Sequence, residues 1–199
     1  MYNVVRYEGQ RVLFEQKLES LESLFERGKY AIYAKSANTS VPLQALETYL
    51  QFAHARKIET ILFINPLHAD YLDIIETSGY WSLFEGWKKR ITSLAEKHGI
   101  RLVDFTDYDE FSTSAETENG DGRILKWYWE PSHYRHTLGE LMIQKFDGQC
   151  AEKDDFGYDL TAENVDRHFA GVRQRRNQYR ALRTSDSIEN WQDALAPNK

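Results

Sequence analysis

The stretch ETILFINPLHADYL, residues 59–72, decides the fold class. TILFI (60–64) is a continuous apolar run of strand length. Coming straight after a helical pattern, it reads as a strand covered on both faces of a parallel sheet. Asn65-Pro66 stops it, and a short helix follows from about Asp70 to Thr77, broken by Ser78-Gly79. A longer helix spans about Tyr80 to His98, with Phe84, Trp87, Ile91 and Leu94 on one face and Gly99 as its cap. RLVDF (101–105) is then a second buried strand. Upstream, NTS (38–40) supplies capping side chains before Pro42, and a helix to about Lys57 buries Leu43, Leu46, Leu50 and Ala53. Helix, strand, helix, helix, strand is the rhythm of an α/β sheet with right-handed crossovers.

Outside this centre the patterns are mixed. Phe14, Leu18, Leu21 and Phe25 mark an amphipathic helix between Gly9 and Gly28, and residues 1–8 suit a short edge strand. KYAIYAKSA (29–37) reads as a strand or extended segment, although its Ala and Lys also permit a helix. Residues 106–123 form a polar loop, with ETENGDG (116–122) its most flexible part. ILKWYW (124–129) suits a short strand, and a helix covers about 135–146. DGQCAEKDD (147–155) resembles a linker. A last helix is expected from after Thr161 to about Arg183. Val165, Phe169, Val172 and Tyr179 are its buried stripe, RQRR (173–176) its wet face, and His168 a packing histidine. Residues 184–199 read as a loose tail with one short helix around Trp191. The expected division is an α/β domain over 1–150 and a helical extension over 151–199.

Composition narrows the function classes. The 199 residues suffice for one core, and aromatics at 14% argue against disorder. Lys and Arg number 25 against 31 Asp and Glu, so the net charge of −6 disfavours a general nucleic-acid binder. Cys150 is alone, which excludes an internal disulfide framework and a four-thiolate zinc site. No apolar run approaches the ~20 residues of a membrane span, and no secretory signal is visible. A cytoplasmic location is therefore the default expectation, with the cell envelope open to a longer form of the protein.

The chemistry-bearing stretch is WYWEPSHY, residues 127–134. An acid three residues before a histidine, ahead of a helix, places a carboxylate beside an imidazole. There it can fix the ring tautomer and stabilise the imidazolium formed during proton transfer. Pro131 disfavours helix at Glu130 and leaves a rigid turn. The same residues also suit a plain helix start, with Ser132 as N-cap and His133 in the first turn. Glu130, His133 and His136 have a ligand-like E-x-x-H-x-x-H spacing. Pro131 interrupts the helix that spacing needs, and the zinc-protease order is absent, so no metal and no cofactor are expected. Asn65 and His68 lie at the carboxyl end of the best strand, where open α/β sheets bind ligands, and are the candidate substrate-binding residues. The competing reading makes Asn65-Pro66 a turn and His68 a helix cap. His54 and His98 belong to helix surfaces or ends.

This segment resembles the last conserved block of SGNH/GDSL-type hydrolases, in which an Asp, two residues and the catalytic His follow the final strand of a flavodoxin-like α/β/α domain. ETILFINPLHADYL resembles a penultimate strand and its loop, RLVDFTDY the last core strand, and HYRHTLGELMIQKF the helix beyond the block. FGYDLTAENVDRHFAGVRQRRNQY resembles a C-terminal extension of some bacterial members. The similarity covers roughly residues 40–180. It implies His133 as general base and Glu130, in place of the usual Asp, as its orienting acid. The family's Gly-Asp-Ser nucleophile block and Gly-x-Asn-Asp block have no counterpart here, and Ser36, Asn38 and Ser40 suit helix capping better.

The implied fold is an incomplete three-layer, flavodoxin-like sheet with helices on both faces. Its first two or three strands, carrying the nucleophile, are expected outside this chain. A sheet so truncated leaves an open strand edge, to be covered by a second copy in a homo-oligomer, by residues 1–8 or by the C-terminal helix. Two functions follow. One is an SGNH-like ester hydrolase or acyltransferase with little activity alone. The other is a non-catalytic binding or assembly module that keeps the fold.

Overall fold

In the computed structural model, which describes residues 9–33, 39–114, 125–148 and 156–195, the element order is α1 (Gln10–Arg27), α2 (Val41–Ala55), β1 (Ile61–Ile64), α3 (Ala69–Thr77), α4 (Trp81–Lys97), β2 (Arg101–Asp104), β3 (Tyr128–Glu130), β4 (His133–Tyr134), α5 (His136–Phe146), β5 (Tyr158–Asp159) and α6 (Val165–Leu195). The protein is a mixed α/β structure. β1 and β2 pair in parallel, from Ile61 opposite Arg101 to Ile64 opposite Asp104. The crossover between them is the expected helix pair α3 and α4.

Period-two alternation sends successive side chains of these strands to different clusters. Ile64, Leu102 and the half-buried Leu62 pack with Ile91 and Ala95 of α4, Val165 and Phe169 of α6, and Leu43 and Leu46 of α2. Val103, with Phe105 just beyond the strand and the half-buried Ile61, packs with Phe14 of α1, Tyr128 of β3, and Leu138 and Met142 of α5. A third cluster joins Leu72 and Ile75 of α3 to Trp81, Tyr108 and Val172.

The sheet is not purely parallel. β5 runs antiparallel along β2, with Asp159 opposite Val103 and Tyr158 opposite Asp104. The sheet order is β1-β2-β5, so one edge of β1 has no partner strand among the described residues. Gly157 makes the approach of β5 possible. Its φ of +79° lies in the left-handed region, and a Cβ there would sit 2.4 Å from Phe105 Cε1. Gly157→Ala is expected to cost about 2 kcal/mol or more, from the backbone conformation and the clash together. The check is a lowered urea midpoint at unchanged m-value.

Three local expectations change. Residues 28–33 are irregular rather than a strand, because Tyr30 folds back onto Phe25 and Tyr80 and the Tyr80 hydroxyl donates to Gly28 O (2.7 Å). The rest of that segment, with Ser36 and Asn38, lies outside the described residues, as do residues 1–8, 116–122 and most of the expected linker. The tail is not loose through 184–195: α6 continues as one 31-residue helix, since no Gly or Pro interrupts the chain between Val172 and Pro197. RQRR is a wet face only in part: Gln174 is exposed and Arg173 and Arg175 are half-exposed, but all three arginines are paired. Arg173 bonds Glu85 (2.7 Å), Arg175 bonds Asp107, and the buried Arg176 lies 2.8 Å from Glu76 and over the Trp81 ring. No helix among the described residues is long and apolar enough to cross a membrane.

Candidate active site

β3 and β4 form a hairpin whose turn is Pro131-Ser132, placing Glu130 directly opposite His133. The segment is therefore a strand pair, and the N-cap position of the following helix falls to Arg135 rather than Ser132. The hairpin is anchored from behind. Gln10, at the start of α1, donates its Nε2 to Tyr128 O (2.6 Å) and Trp129 O (3.1 Å) and accepts from Leu125 N at Oε1. His68 N donates to Pro131 O (3.0 Å).

Glu130 is buried and His133 is 60% exposed, yet His133 Nδ1 meets Glu130 Oε1 in a short contact. Ser132 completes the carboxylate's surroundings, its N donating to Oε2 (3.1 Å) and its Oγ to Oε1 (2.8 Å). Nδ1–H donation to the carboxylate leaves the Nε2 lone pair on the exposed side of the ring, where no described residue occupies it. A carboxylate on one ring nitrogen with the other left open is the geometry that lets an imidazole act as a general base. Ser132 Oγ lies 3.1 Å from Nδ1, on the carboxylate side of the ring and not at Nε2. Burial, then the Glu130 charge, raises the Tyr71 phenol and keeps it protonated.

His68 caps α3. Its Nδ1 accepts from Asp70 N (3.2 Å) and its Nε2 bonds Ser114 O (3.1 Å), so both ring nitrogens are used. Phe14 and Tyr128 meet the ring edge-on, and burial pushes the imidazole pKa down, with Asp70 acting against it. Asn65 is exposed just past β1. Neither hydrogen-bonds Glu130 or His133. Among the described residues, no three His, Cys, Asp or Glu side chains gather as a metal site.

A second polar centre was hidden inside two apolar patterns. Lys88 of α4 is buried and donates to Asp104 Oδ2 (2.7 Å) at the carboxyl end of β2. Asp104 Oδ1 accepts from Thr106 N (2.9 Å) and Oγ1 (2.6 Å), and Lys88 also reaches Thr106 Oγ1. His168 Nε2 lies 3.4 Å from Asp104 Oδ2 without forming a hydrogen bond, its ring stacked on Tyr158 with centroids 4.2 Å apart. Burial pushes the Asp104 carboxyl up, but Lys88 and His168 outweigh it and hold the group well below the usual carboxylate range. The available signal was a Lys beside the Phe84–Ile91 stripe and an Asp inside RLVDF.

No protein-family model matches the chain, and no curated protein and no solved structure matches it either.

Proposed function

We propose that Glu130 and His133 are the acid and general base of an SGNH-type ester hydrolase or acyltransferase site, on an incomplete, three-layer, flavodoxin-like sheet. One observation carries this reading: a buried carboxylate holds Nδ1 of an exposed histidine and leaves Nε2 open. In the reaction, Nε2 takes the proton of a serine hydroxyl as its oxygen attacks the acyl carbonyl. The tetrahedral adduct collapses, and the leaving alkoxide takes that proton back from Nε2–H. Water or an acceptor alcohol then releases the acyl group by the same steps, with Glu130 stabilising each imidazolium. The edge of β1 with no partner strand among the described residues is where strands bearing the nucleophile would join, and a second copy meeting that edge is the assembly that would cover it. A non-catalytic binding or assembly module is the second reading, favoured by the lack of a described serine at Nε2.

Diethyl pyrocarbonate tests the dyad without needing the nucleophile, because it acylates unprotonated imidazole nitrogen. Well above the ordinary imidazole pKa range, His133 should be modified faster than the exposed His54 and His136, as mapped by peptide mass spectrometry. Glu130→Gln should slow His133 severalfold and leave His54 unchanged. A His133 that reacts no faster than His54, or that ignores Glu130→Gln, refutes the dyad.

A further inference from the structure

A cavity of about 880 Å³ opens at the carboxyl end of β2, and neither Glu130 nor His133 lines it. Its walls are the loop after β2, the segment 156–158 and the start of α6. Phe105, Phe111 and Phe156 supply an apolar surface, with the Phe156 ring 4.9 Å from Phe105 and 4.6 Å from Phe111 between centroids. The volume falls within the range of small-molecule sites, and the carboxyl end of a sheet is where such sites form.

The charges around it are only partly matched. Asp104 is held by Lys88, and Asp107 by Arg175, whose Nε lies 2.7 Å from Oδ1. Of the other charged side chains lining it, Glu110 is exposed, and Arg167 and Asp109 stand on different walls without an ion pair to a described residue. Arg167 of α6 lines the cavity and has no ion pair with a described residue. Beside it, His168 Nε2 is a buried polar atom without a hydrogen bond. Arg167, Gly171 and Arg175 share one helical stripe, and the glycine puts no side chain between the two guanidiniums. On the loop, Asp109 Oδ1 accepts from Phe111 N (3.0 Å) and Ser112 N (2.8 Å), while Oδ2 takes no hydrogen bond from a described residue.

We infer that this cavity binds a small zwitterion with an apolar body, its carboxylate on Arg167, its ammonium on Asp109 and its hydrocarbon against Phe105, Phe111 and Phe156. A simple anion would face Asp109 and a simple cation would face Arg167; only a molecule carrying both charges satisfies both walls. Burial, with the Asp107 charge adding to it, pushes the Asp109 carboxyl up to about 6, the behaviour of a carboxylate short of a cation. Apolar amino acids and short apolar peptides share this chemistry.

Isothermal titration of the full chain with phenylalanine, the dipeptide Phe-Phe, N-acetylphenylalanine and phenylalanine amide tests the inference. The two zwitterions should bind at millimolar concentration or below. Each capped form should be weaker by about tenfold, the loss of one charge-assisted hydrogen bond. Asp109→Asn keeps the Oδ1 acceptor of the loop, and should weaken the zwitterions while leaving N-acetylphenylalanine unchanged. Arg167→Ala, at an exposed position, should weaken the zwitterions while leaving the amide unchanged. The tighter of phenylalanine and Phe-Phe assigns the source as amino acid or peptide, and either result supports the site. No binding of either zwitterion, or equal binding of capped and uncapped forms, overturns it.

Discussion

Lys88→Met is expected to destabilise the protein by about 3–5 kcal/mol near neutral pH, the scale on which losing one partner of a buried ion pair is felt. The variant leaves the buried Asp104 carboxylate with Thr106 and a poorly aligned His168 as its company. Asp104→Leu should cost at least as much, because it strands both the Lys88 ammonium and the Thr106 N–H. The double variant Lys88→Met/Asp104→Leu should recover most of the loss, since apolar replacement of a whole buried pair is often neutral. Urea denaturation of all four proteins measures the coupling directly. The pH dependence has a definite sign. The folded-state pKa of Asp104 is depressed, so its contribution is present above the unfolded value of about 3.9 and is lost as pH falls through the folded one. Without Lys88 the largest lowering influence is gone and His168 alone opposes burial, so the folded-state pKa rises. The gap between wild type and Lys88→Met should therefore be widest near neutrality and narrow on acidification. A Lys88→Met protein as stable as wild type would mean that the pair is not buried as described.

That pair also shows what can be read from a sequence of this kind. β1, β2 and the helices between them follow from local patterns: a continuous apolar run fits a covered strand, and Phe84 and Ile91 recur at helical spacing. The structure places them within about a residue or two of the expected bounds, which is the ordinary scatter of element ends. Non-local pairing is what escapes. Tyr158–Asp159 has no strand pattern of its own; it is a strand because β2 offers an edge and Gly157 can approach Phe105. Lys88, Asp104 and His168 lie far apart in the chain, and each alone looks like a solvated or packing residue. The Glu130–His133 spacing was legible as a contact, but not as a hairpin, because strands this short have no periodicity to read. His68 was legible only as two competing roles, and its two ring hydrogen bonds make it the cap of α3.

Hydrolysis of p-nitrophenyl acetate by the chain alone is expected to be slow, below the ~1 s⁻¹ of ordinary enzyme turnover, and to depend on His133. The nucleophile and oxyanion blocks of SGNH-type hydrolases have no counterpart in the sequence, and no described serine lies at Nε2. What remains is a positioned imidazole acting on an activated ester. General-base assistance by such a group is worth about 10²–10⁴-fold, so His133→Ala should remove nearly all of the protein-dependent rate. Glu130→Gln should lower it less: the amide still orients the ring through its oxygen but stabilises the imidazolium poorly. Ser132→Ala should leave the rate close to wild type, because Ser132 Oγ sits against the carboxylate and Nδ1 rather than at Nε2. His136→Ala controls for an exposed histidine outside the dyad. Fast turnover that vanishes with His133 would keep the dyad and reveal a nucleophile overlooked in the chain. Fast turnover that vanishes with Ser132 would move the attacking oxygen into the hairpin turn. A rate indifferent to His133→Ala would detach the hairpin from ester chemistry and favour the binding module, in which the buried Glu130 serves only to brace the turn.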